Sequence, residues 1–226
     1  MNESIIYTFI KWSVRFVLFF FSLIFIILLL TKWINPPITT VILSESISLD
    51  QKVNQEWRTI DKIGKNVILT VLASEDSNFC NHYGFDFNEI FRAKEKGFSR
   101  GASTISQQVS KNLILWRGRS WLRKGLEALI TIMIETLWSK KRILEIYLNI
   151  AETGNGYFGI QAISNSLFKK NSYDLTLKEA SYIAVTLPNP KKRNAKKLSI
   201  NLKKRAESVR NGANTLKLDG RASCVL

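Results

Sequence analysis

The stretch Ala73-Ser-Glu-Asp-Ser-Asn-Phe-Cys-Asn-His-Tyr-Gly84 is the starting point for interpreting this chain. It follows a mostly apolar run, 67–72, and places two adjacent carboxylates, Glu75 and Asp76, where a buried segment meets a polar turn. The single histidine of the chain, His82, comes seven residues after Glu75. A partly desolvated carboxylate has a raised pKa and can accept a proton near neutral pH. The alternative is that the pair caps a helix or faces solvent, as most charged residues do.

A long apolar segment lies upstream of this stretch, between Trp12 and Trp33. As a helix, its 22 residues would span about 33 Å, which is enough to cross a bilayer. The tryptophans stand where an aromatic belt is expected, and Arg15 can reach the membrane surface. A cleaved signal peptide is the alternative, but residues 31–37 do not resemble a small-residue cleavage site. The bases before the segment predict a cytoplasmic N-terminus, with the rest of the chain outside the inner membrane.

The second polar cluster is Gly101-Ala-Ser-Thr-Ile-Ser-Gln-Gln-Val-Ser-Lys-Asn112. The spacing Thr104-x-x-Gln107 is that of a capping box, which predicts a helix beginning at Ile105. Its first turns would carry hydroxyl, amide and ammonium donors, which suit an anion or a sugar. An ordinary capped helix with no ligand remains the alternative for this cluster taken alone.

The third cluster is Arg117-Gly-Arg-Ser-Trp-Leu-Arg-Lys-Gly-Leu-Glu127. In a helix, Arg119, Arg123 and Glu127 lie at four-residue intervals and share one face, with Lys124 beside them. Such a group could bind a diphosphate and its developing charge, or it could be a solvated ladder of ion pairs.

Local patterns predict several further elements. We expect a short extended piece over 38–43, a short helix over 55–62, a helix over 67–74 and a capped helix opened by Thr176-x-x-Glu179. Two cysteines, Cys80 and Cys224, do not by their number decide a pairing, and we expect no structural disulfide. No repeat or low-complexity segment is found beyond the apolar run.

Taken together, the three clusters resemble the successive motifs of the peptidoglycan glycosyltransferases, glycosyltransferase family 51. The matching residues are Glu75-Asp-x-x-Phe-x-x-His-x-Gly84, the whole of 101–112, and Arg123-Lys-x-x-Glu127. The segment Ser139-Lys-Lys-Arg-Ile-Leu-Glu-Ile-Tyr-Leu-Asn149 resembles a further motif of that family. The likeness extends from about Asn66 to Asn189. The short chain with one anchor resembles the monofunctional branch.

The resemblance implies a mainly α fold: a lysozyme-like glycosyltransferase domain with a smaller membrane-proximal lobe, preceded by one N-terminal transmembrane helix. The implied reaction polymerises lipid II into β-1,4-linked glycan, inverts the sugar carbon, releases undecaprenyl diphosphate and is sensitive to moenomycin. The expected division is a cytoplasmic N-terminus (1–11), an anchor (12–34), a connector (35–54), the glycosyltransferase domain (55–190) and a basic C-terminal segment (191–226).

The resemblance also implies roles for individual residues. Glu75 matches the general base, and Glu127 matches the second essential glutamate, on the diphosphate side. The residues expected to bind substrate are Asp76, His82, Ser103, Thr104, Gln107, Gln108, Lys111, Asn112, Arg119, Arg123 and Lys124. No cofactor is required for the chemistry as written, although a divalent cation, Mg²⁺ or Mn²⁺, could assist the diphosphate. Expected partners are lipid II, the growing glycan strand, the inner membrane and proteins of division or cell-wall synthesis.

The net charge of +15 and pI near 9.9 raise the alternative of nucleic-acid binding. No nucleic-acid-binding motif is found, and an anionic membrane with a diphosphate substrate accounts for the same charge, so we expect no nucleic-acid partner. A glycan-cleaving enzyme is a nearer alternative, but it has no diphosphate for the Arg-Lys-x-x-Glu cluster to stabilise. A scaffold without activity would not need Glu75 and Glu127.

Overall fold

The computed structural model describes residues 3–95, 97, 101, 103–118 and 120–226, of which the side chains of residues 3–5 are not discussed. About 65% of the chain is helical, which confirms the mainly α class. The described helices are α1 (Glu3–Thr31), α2 (Thr40–Leu49), α3 (Lys65–Glu75), α4 (Phe87–Glu95), α5 (Ile105–Ile114), α6 (Trp121–Leu137), α7 (Lys140–Ile150), α8 (Ile160–Phe168), α9 (Leu177–Ala184) and α10 (Ile200–Leu218). Short 3₁₀ turns occur at Ile60–Lys62, Phe79–Asn81 and Ser172–Asp174.

The chain divides into two compact units, Met1–Pro36 and Pro37–Leu226. The first contains α1, whose segment Ile6–Thr31 is long and apolar enough to cross a membrane. Near each end of this segment a basic side chain lies over a tryptophan ring, Arg15 over Trp12 and Lys32 over Trp33, each 5.1 Å from the ring centroid. Such pairs suit the boundary between hydrocarbon and headgroups.

The second unit is built around two groups of helices. In one, α3 packs against α9 and α10, and its residues Val67 to Leu72 are all buried. In the other, α5 packs against α6, α7 and α2. A small sheet of β1 (Asn54–Gln55), β2 (Glu152–Gly154) and β3 (Tyr157–Phe158) has the order β1-β3-β2, with β1 parallel and β2 antiparallel to β3. A helix covered on several sides is apolar around its circumference, which explains the continuous apolar run of α3.

Three of the predicted helices are confirmed. The helix expected over 67–74 is α3, and α5 begins at Ile105 with the complete Thr104–Gln107 capping box. The capping box of Thr176 and Glu179 opens α9, which ends at Ala184, before the prolines at 188 and 190.

Two local predictions are wrong. The piece expected to be extended over 38–43 instead enters α2, because Thr39 caps the helix by accepting from the Ile42 amide and α2 packs on α5. Packing therefore overrides the β-propensity of the branched run. The helix expected over 55–62 is a strand end and a 3₁₀ turn. Its backbone amides donate to side chains of α7: Arg58 to Asn149 Oδ1 at 2.7 Å and Ile60 to Glu145 Oε2 at 2.9 Å.

The expectation of no structural disulfide is also wrong, because Cys80 and Cys224 are bonded, with Cα atoms 5.8 Å apart. The cause is tertiary. Helix α10 packs along α3, and the chain after α10 reaches the 3₁₀ turn that follows the end of α3. A separation of 144 residues leaves no local sequence signal for this pairing.

The basic C-terminal segment belongs to the same compact unit as the rest of the chain after Pro36. Helix α10 buries Ala206, Val209 and Ala213 among its packing residues. Gly212 allows a close contact with α3, since a Cβ at this position would lie 3.3 Å from the Ala73 side chain. The lysines at 203, 204 and 217 are exposed.

Candidate active site

Glu75 occupies the last turn of α3, and neutral donors surround it. Gln108 Nε2 donates to Glu75 Oε2 at 3.1 Å, and Ser74 Oγ donates to Oε1 at 3.3 Å. Burial raises the pKa of Glu75 above the ordinary value of 4.5. The donors Gln108 and Ser74 and the charge of Arg205 act against this rise, and Asp76 adds to it. A carboxylate in these surroundings is suited to accept a proton.

Asp76 makes structural contacts and joins the end of α3 to the start of α5. Its side chain is buried; Oδ1 lies 2.9 Å from His82 Nε2, and Oδ2 accepts from the Ile105 amide at 2.9 Å. The carboxylate thus satisfies a free N–H at the start of α5 and fixes that helix to the end of α3. We call the contacts of the Asp76 carboxylate with His82 and with the Ile105 amide the brace; the structure brings Asp76 and His82 together in it.

Thr104 and Gln107 are buried in the capping box of α5. Thr104 Oγ1 accepts from the Gln107 amide at 3.2 Å and donates to the Gly84 carbonyl at 2.7 Å, while Gln107 Oε1 accepts from the Thr104 amide. Gly84 has a φ of +82°, and a Cβ there would lie 2.8 Å from Thr131. These contacts hold the stretch 73–84 against the cluster 101–112. They set the direction in which the next residue of α5, Gln108, projects.

A cleft of about 470 Å³ is lined in part by Gln108, whose side-chain amide donates to Glu75. Its wall includes Gln108, Lys111 and Asn112 from α5, together with Arg123 from α6 and Tyr147 from α7. Burial lowers the pKa of Lys111 below the ordinary value of 10.5; the Glu127 charge opposes this, and neighbouring cations strengthen it. Within the described residues, no carboxylate lies at ion-pair distance from Lys111. Its ammonium group is therefore available to an anionic ligand.

Glu127 lies among cations, which distinguishes it from Glu75. Arg123 Nη1 donates to Glu127 Oε2 at 2.7 Å, and Lys124 Nζ donates to Oε1. Arg123 also donates through Nε to the Gly118 carbonyl, and Lys124 to Ser103 Oγ at 3.4 Å. The glutamate is 3% exposed and both of its oxygens accept hydrogen bonds from cations, an arrangement that can align two positive groups. Arg119, the remaining predicted member of this face, lies outside the described residues.

A second charged cluster lies along the cleft and was not identified from the sequence. Arg117 contacts Glu45 Oε2 at 2.8 Å and Glu152 Oε2 at 3.1 Å, and Lys191 contacts both oxygens of Glu45. Burial raises the pKa of Glu152 above 4.5, although Arg117 and Lys191 oppose the rise. No sequence motif indicated Glu45 as a site residue, because its partners Arg117 and Lys191 are distant in sequence.

Tyr147 is a further site residue that sequence reasoning missed. It is 1% exposed, and its hydroxyl lies 3.4 Å from Gln108 Oε1. The motif 139–149 pointed to this helix, but no local feature of the sequence distinguished the tyrosine from its apolar neighbours.

The donor set does not form a metal site made of protein ligands alone. In the described parts of the chain, no group of three or more His, Cys, Asp or Glu side chains is close enough to hold a metal ion. Both oxygens of Glu127 are occupied by cations.

Comparison with known proteins identifies the family of this chain. The family profile described as Transglycosylase matches residues 42–214, more than half of the chain. The chain belongs to the transglycosylase family. This confirms the family inferred from the motifs, and the matched range of this transglycosylase includes most of α2 and most of α10.

Individual relatives are similar over most of their length. The biosynthetic peptidoglycan transglycosylase of Mannheimia succiniciproducens is 42% identical over 229 residues, covering 97% of this chain and 94% of the relative. Proteins of the same name from Jannaschia sp. (43%, covering 84% and 79%) and Pseudomonas syringae pv. syringae (44%, covering 82% of each) are also similar.

Proposed function

We propose that this transglycosylase polymerises lipid II into β-1,4-linked glycan and releases undecaprenyl diphosphate. The observation that carries the proposal is the connection, through Gln108, between a carboxylate with a raised pKa, Glu75, and a cleft lined by the cationic side chains of Lys111 and Arg123. A transfer from a glycosyl diphosphate needs this combination, because one reacting group loses a proton and the other leaves as an anion.

Glu75 acts on the acceptor sugar. Its carboxylate takes the proton of the 4-hydroxyl while the oxygen attacks the anomeric carbon of the donor. The new C–O bond forms as the bond to the diphosphate breaks, and the electron pair leaves with the diphosphate. Attack opposite to the leaving group inverts the configuration at the anomeric carbon. Positioned proton transfer of this type contributes about 10²- to 10⁴-fold to a rate.

Lys111 and Arg123 act on the leaving group. Both side chains line the cleft, and Lys124 shares Glu127 with Arg123. Because cations in a partly dehydrated cleft interact strongly with developing negative charge, they stabilise the departing diphosphate. Glu127 holds Arg123 and Lys124 in place and prevents their mutual repulsion from separating them. Asn112 adds a polar group to the lining of the cleft, and Ser103 accepts a hydrogen bond from Lys124.

A divalent cation would take most of its ligands from the substrate phosphates and from water. Mg²⁺ is commonly bound in this way at phosphate sites, with one or two carboxylates at most. We propose it only as an aid to the diphosphate, and no step above depends on it.

The proposed location is the bacterial inner membrane, with α1 as a single-pass anchor and the catalytic unit on the periplasmic side. The bases before the apolar run support this orientation. The Cys80–Cys224 disulfide also supports it, since the periplasm is oxidising. Exposed apolar side chains on α4 and α6 suit a membrane surface where a polyprenyl substrate is found; they include Phe87, Phe91, Trp121, Leu122 and Leu129. Protein partners in division or cell-wall synthesis remain a proposal from the resemblance.

The test is polymerisation by the purified full chain. Labelled lipid II should be converted to long glycan that lysozyme digests, and moenomycin, which resembles the phosphoglycolipid donor, should stop the conversion. The Glu75→Gln variant is the matched control, since it keeps the shape of the side chain. Cleavage of preformed glycan with no polymer from lipid II would indicate a hydrolase instead. Absence of both activities in a folded, detergent-solubilised protein would contradict the proposal.

A further inference from the structure

Tyr147 is a buried polar group that the mechanism above does not use. Its ring is enclosed on α7, and its hydroxyl lies 3.4 Å from the side-chain oxygen of Gln108 on α5. A buried hydroxyl normally has a hydrogen-bond partner. Because an amide oxygen can only accept, the tyrosine must be the donor in this contact.

The amide of Gln108 links this hydroxyl to the proposed base. Its oxygen faces Tyr147, and its nitrogen donates to Glu75 Oε2 at 3.1 Å. If the amide rotated by half a turn, its oxygen would face the carboxylate of Glu75, and two acceptors would oppose each other. The tyrosine donor therefore stabilises the one orientation in which the amide also donates to the base.

We propose that Tyr147 is a positioning residue that acts through Gln108, holding its amide in the orientation that donates to the Glu75 carboxylate. The inference rests on the proposed role of Glu75 as general base. Tyr147 touches neither the acceptor hydroxyl nor the anomeric carbon in this scheme. Its contribution is to keep a three-residue chain of hydrogen bonds, from α7 through α5 to α3, in one arrangement.

The hydroxyl is suited to this task over a wide pH range. Burial raises the pKa of Tyr147 well above 10.0, and the charges of Glu75 and Asp76 act in the same direction. The group therefore stays protonated and can donate throughout the range in which the enzyme would work.

Other groups around Glu75 determine what removal of the hydroxyl should do. Asp76 follows it at the end of α3, and Arg205 acts on it from α10. The one hydroxyl hydrogen of Ser74 is shared between Glu75 and the Ala184 carbonyl on α9, each 3.3 Å from Oγ. Burial and Asp76 raise the pKa of Glu75, whereas Gln108, Ser74 and Arg205 lower it. If Gln108 no longer donates, one lowering influence is lost, so the pKa of Glu75 rises further.

The experiment compares the full-length wild type with Tyr147→Phe, which removes only the hydroxyl. We expect the acid limb of the pH–rate profile to move upward by roughly half a unit to one unit, which is less than a whole hydrogen bond to a carboxylate because Gln108 remains and only its orientation is less well held. The rate on the acid limb should therefore fall and should recover at higher pH. Tyr182→Phe, a partly buried tyrosine on α9, is the matched control and should leave the profile unchanged.

A second variant tests the path of the effect. Gln108→Leu should shift the acid limb by at least as much, and adding Tyr147→Phe to it should produce no further shift. Infrared titration of the Glu75 carboxylate, by difference from Glu75→Gln, gives the same midpoint without reference to activity. An unchanged midpoint in Tyr147→Phe, or a loss of rate equal at every pH, would overturn the inference. If the wild type makes no glycan while Tyr147→Phe still shifts the infrared midpoint, the proposed function is contradicted instead.

Discussion

Glu75 and Glu127 are the same residue type in opposite surroundings. Both oxygens of Glu127 contact cations, Arg123 and Lys124. Glu75 receives its hydrogen bonds from an amide and a hydroxyl, and burial raises its pKa. A carboxylate held by cations is a poor proton acceptor, whereas one desolvated among neutral donors is a good one. The comparison shows that the neighbours of each glutamate, and not its type, determine its role.

The largest effect should come from Glu75→Gln. Glutamine keeps the size and one oxygen but cannot accept the acceptor's proton, so polymerisation should fall by about 10²- to 10⁴-fold. Circular dichroism and thermal melting should remain close to wild type, because glutamine keeps the size of the side chain at this helix end. Near-normal glycan synthesis by this folded variant would show that Glu75 is not the base.

Glu127→Gln should be severe for a different reason. Loss of its charge leaves Arg123 and Lys124 without their shared partner, so the two cations repel each other and shift from the diphosphate. A misplacement of this kind costs roughly 10²-fold in rate. Added Mg²⁺ should recover part of this loss, because a divalent ion supplies charge at the diphosphate, and should recover none in Glu75→Gln. Equal responses of both variants to Mg²⁺ would remove the distinction between the two glutamates.

The pH dependence should reflect two groups, the proposed base Glu75 and the cation Lys111. Glu75 must be deprotonated, so activity is lost as pH falls through its pKa, which burial places above 4.5. Lys111 must be protonated, so activity is lost as pH rises through its pKa, which burial places below 10.5. We therefore expect a bell-shaped rate profile that is narrower than the interval between these two ordinary pKa values.

Lys111→Arg separates the two limbs. A guanidinium group stays charged at high pH, so the alkaline limb should move upward while the acid limb stays in place, with a few-fold change in maximal rate. Lys178→Arg, at an exposed position on α9, is the matched control. An alkaline limb that does not move in Lys111→Arg would assign that limb to another group.

The smallest effect on catalysis should come from removal of the disulfide, which joins the turn after α3 to the segment after α10. Cys80→Ser with Cys224→Ser removes a link across 144 residues, and loss of such a loop closure costs about 2–5 kcal/mol of stability. We expect a lower melting temperature, with a rate at 25 °C within a few-fold of wild type. Ser77→Ala, at an exposed position near the same turn, is a control. An unchanged melting temperature would show that packing of α10 on α3 is sufficient to hold this end of the chain.

Much of the candidate site could be predicted because its chemistry is arranged over a few residues. The pairing of Arg123 and Lys124 with Glu127 follows from their spacing of four and three residues on one helix. The Thr104–Gln107 capping box is equally local. The apolar run of α1 could be predicted from its length and composition alone. In these cases the interacting groups are joined by a short, regular backbone.

The remaining features depend on segments that are distant in sequence. No local pattern indicated that Gln108 would contact Glu75 and Tyr147, or that Glu45 would bind Arg117 and Lys191. The disulfide and the helix α2 belong to the same class, since both depend on which elements pack together.

The sequence by itself determined the family, the helical character, the apolar segment long enough to cross a membrane and the two glutamates proposed to act in the reaction. Only the tertiary structure decided how they differ. Packing of α3 against α9 and α10 desolvates Glu75, and the brace from Asp76 to Ile105 brings Gln108 to it. Desolvation and long-range hydrogen bonds exist only once distant segments meet, so the property that suits one glutamate to be a base is a property of the folded chain.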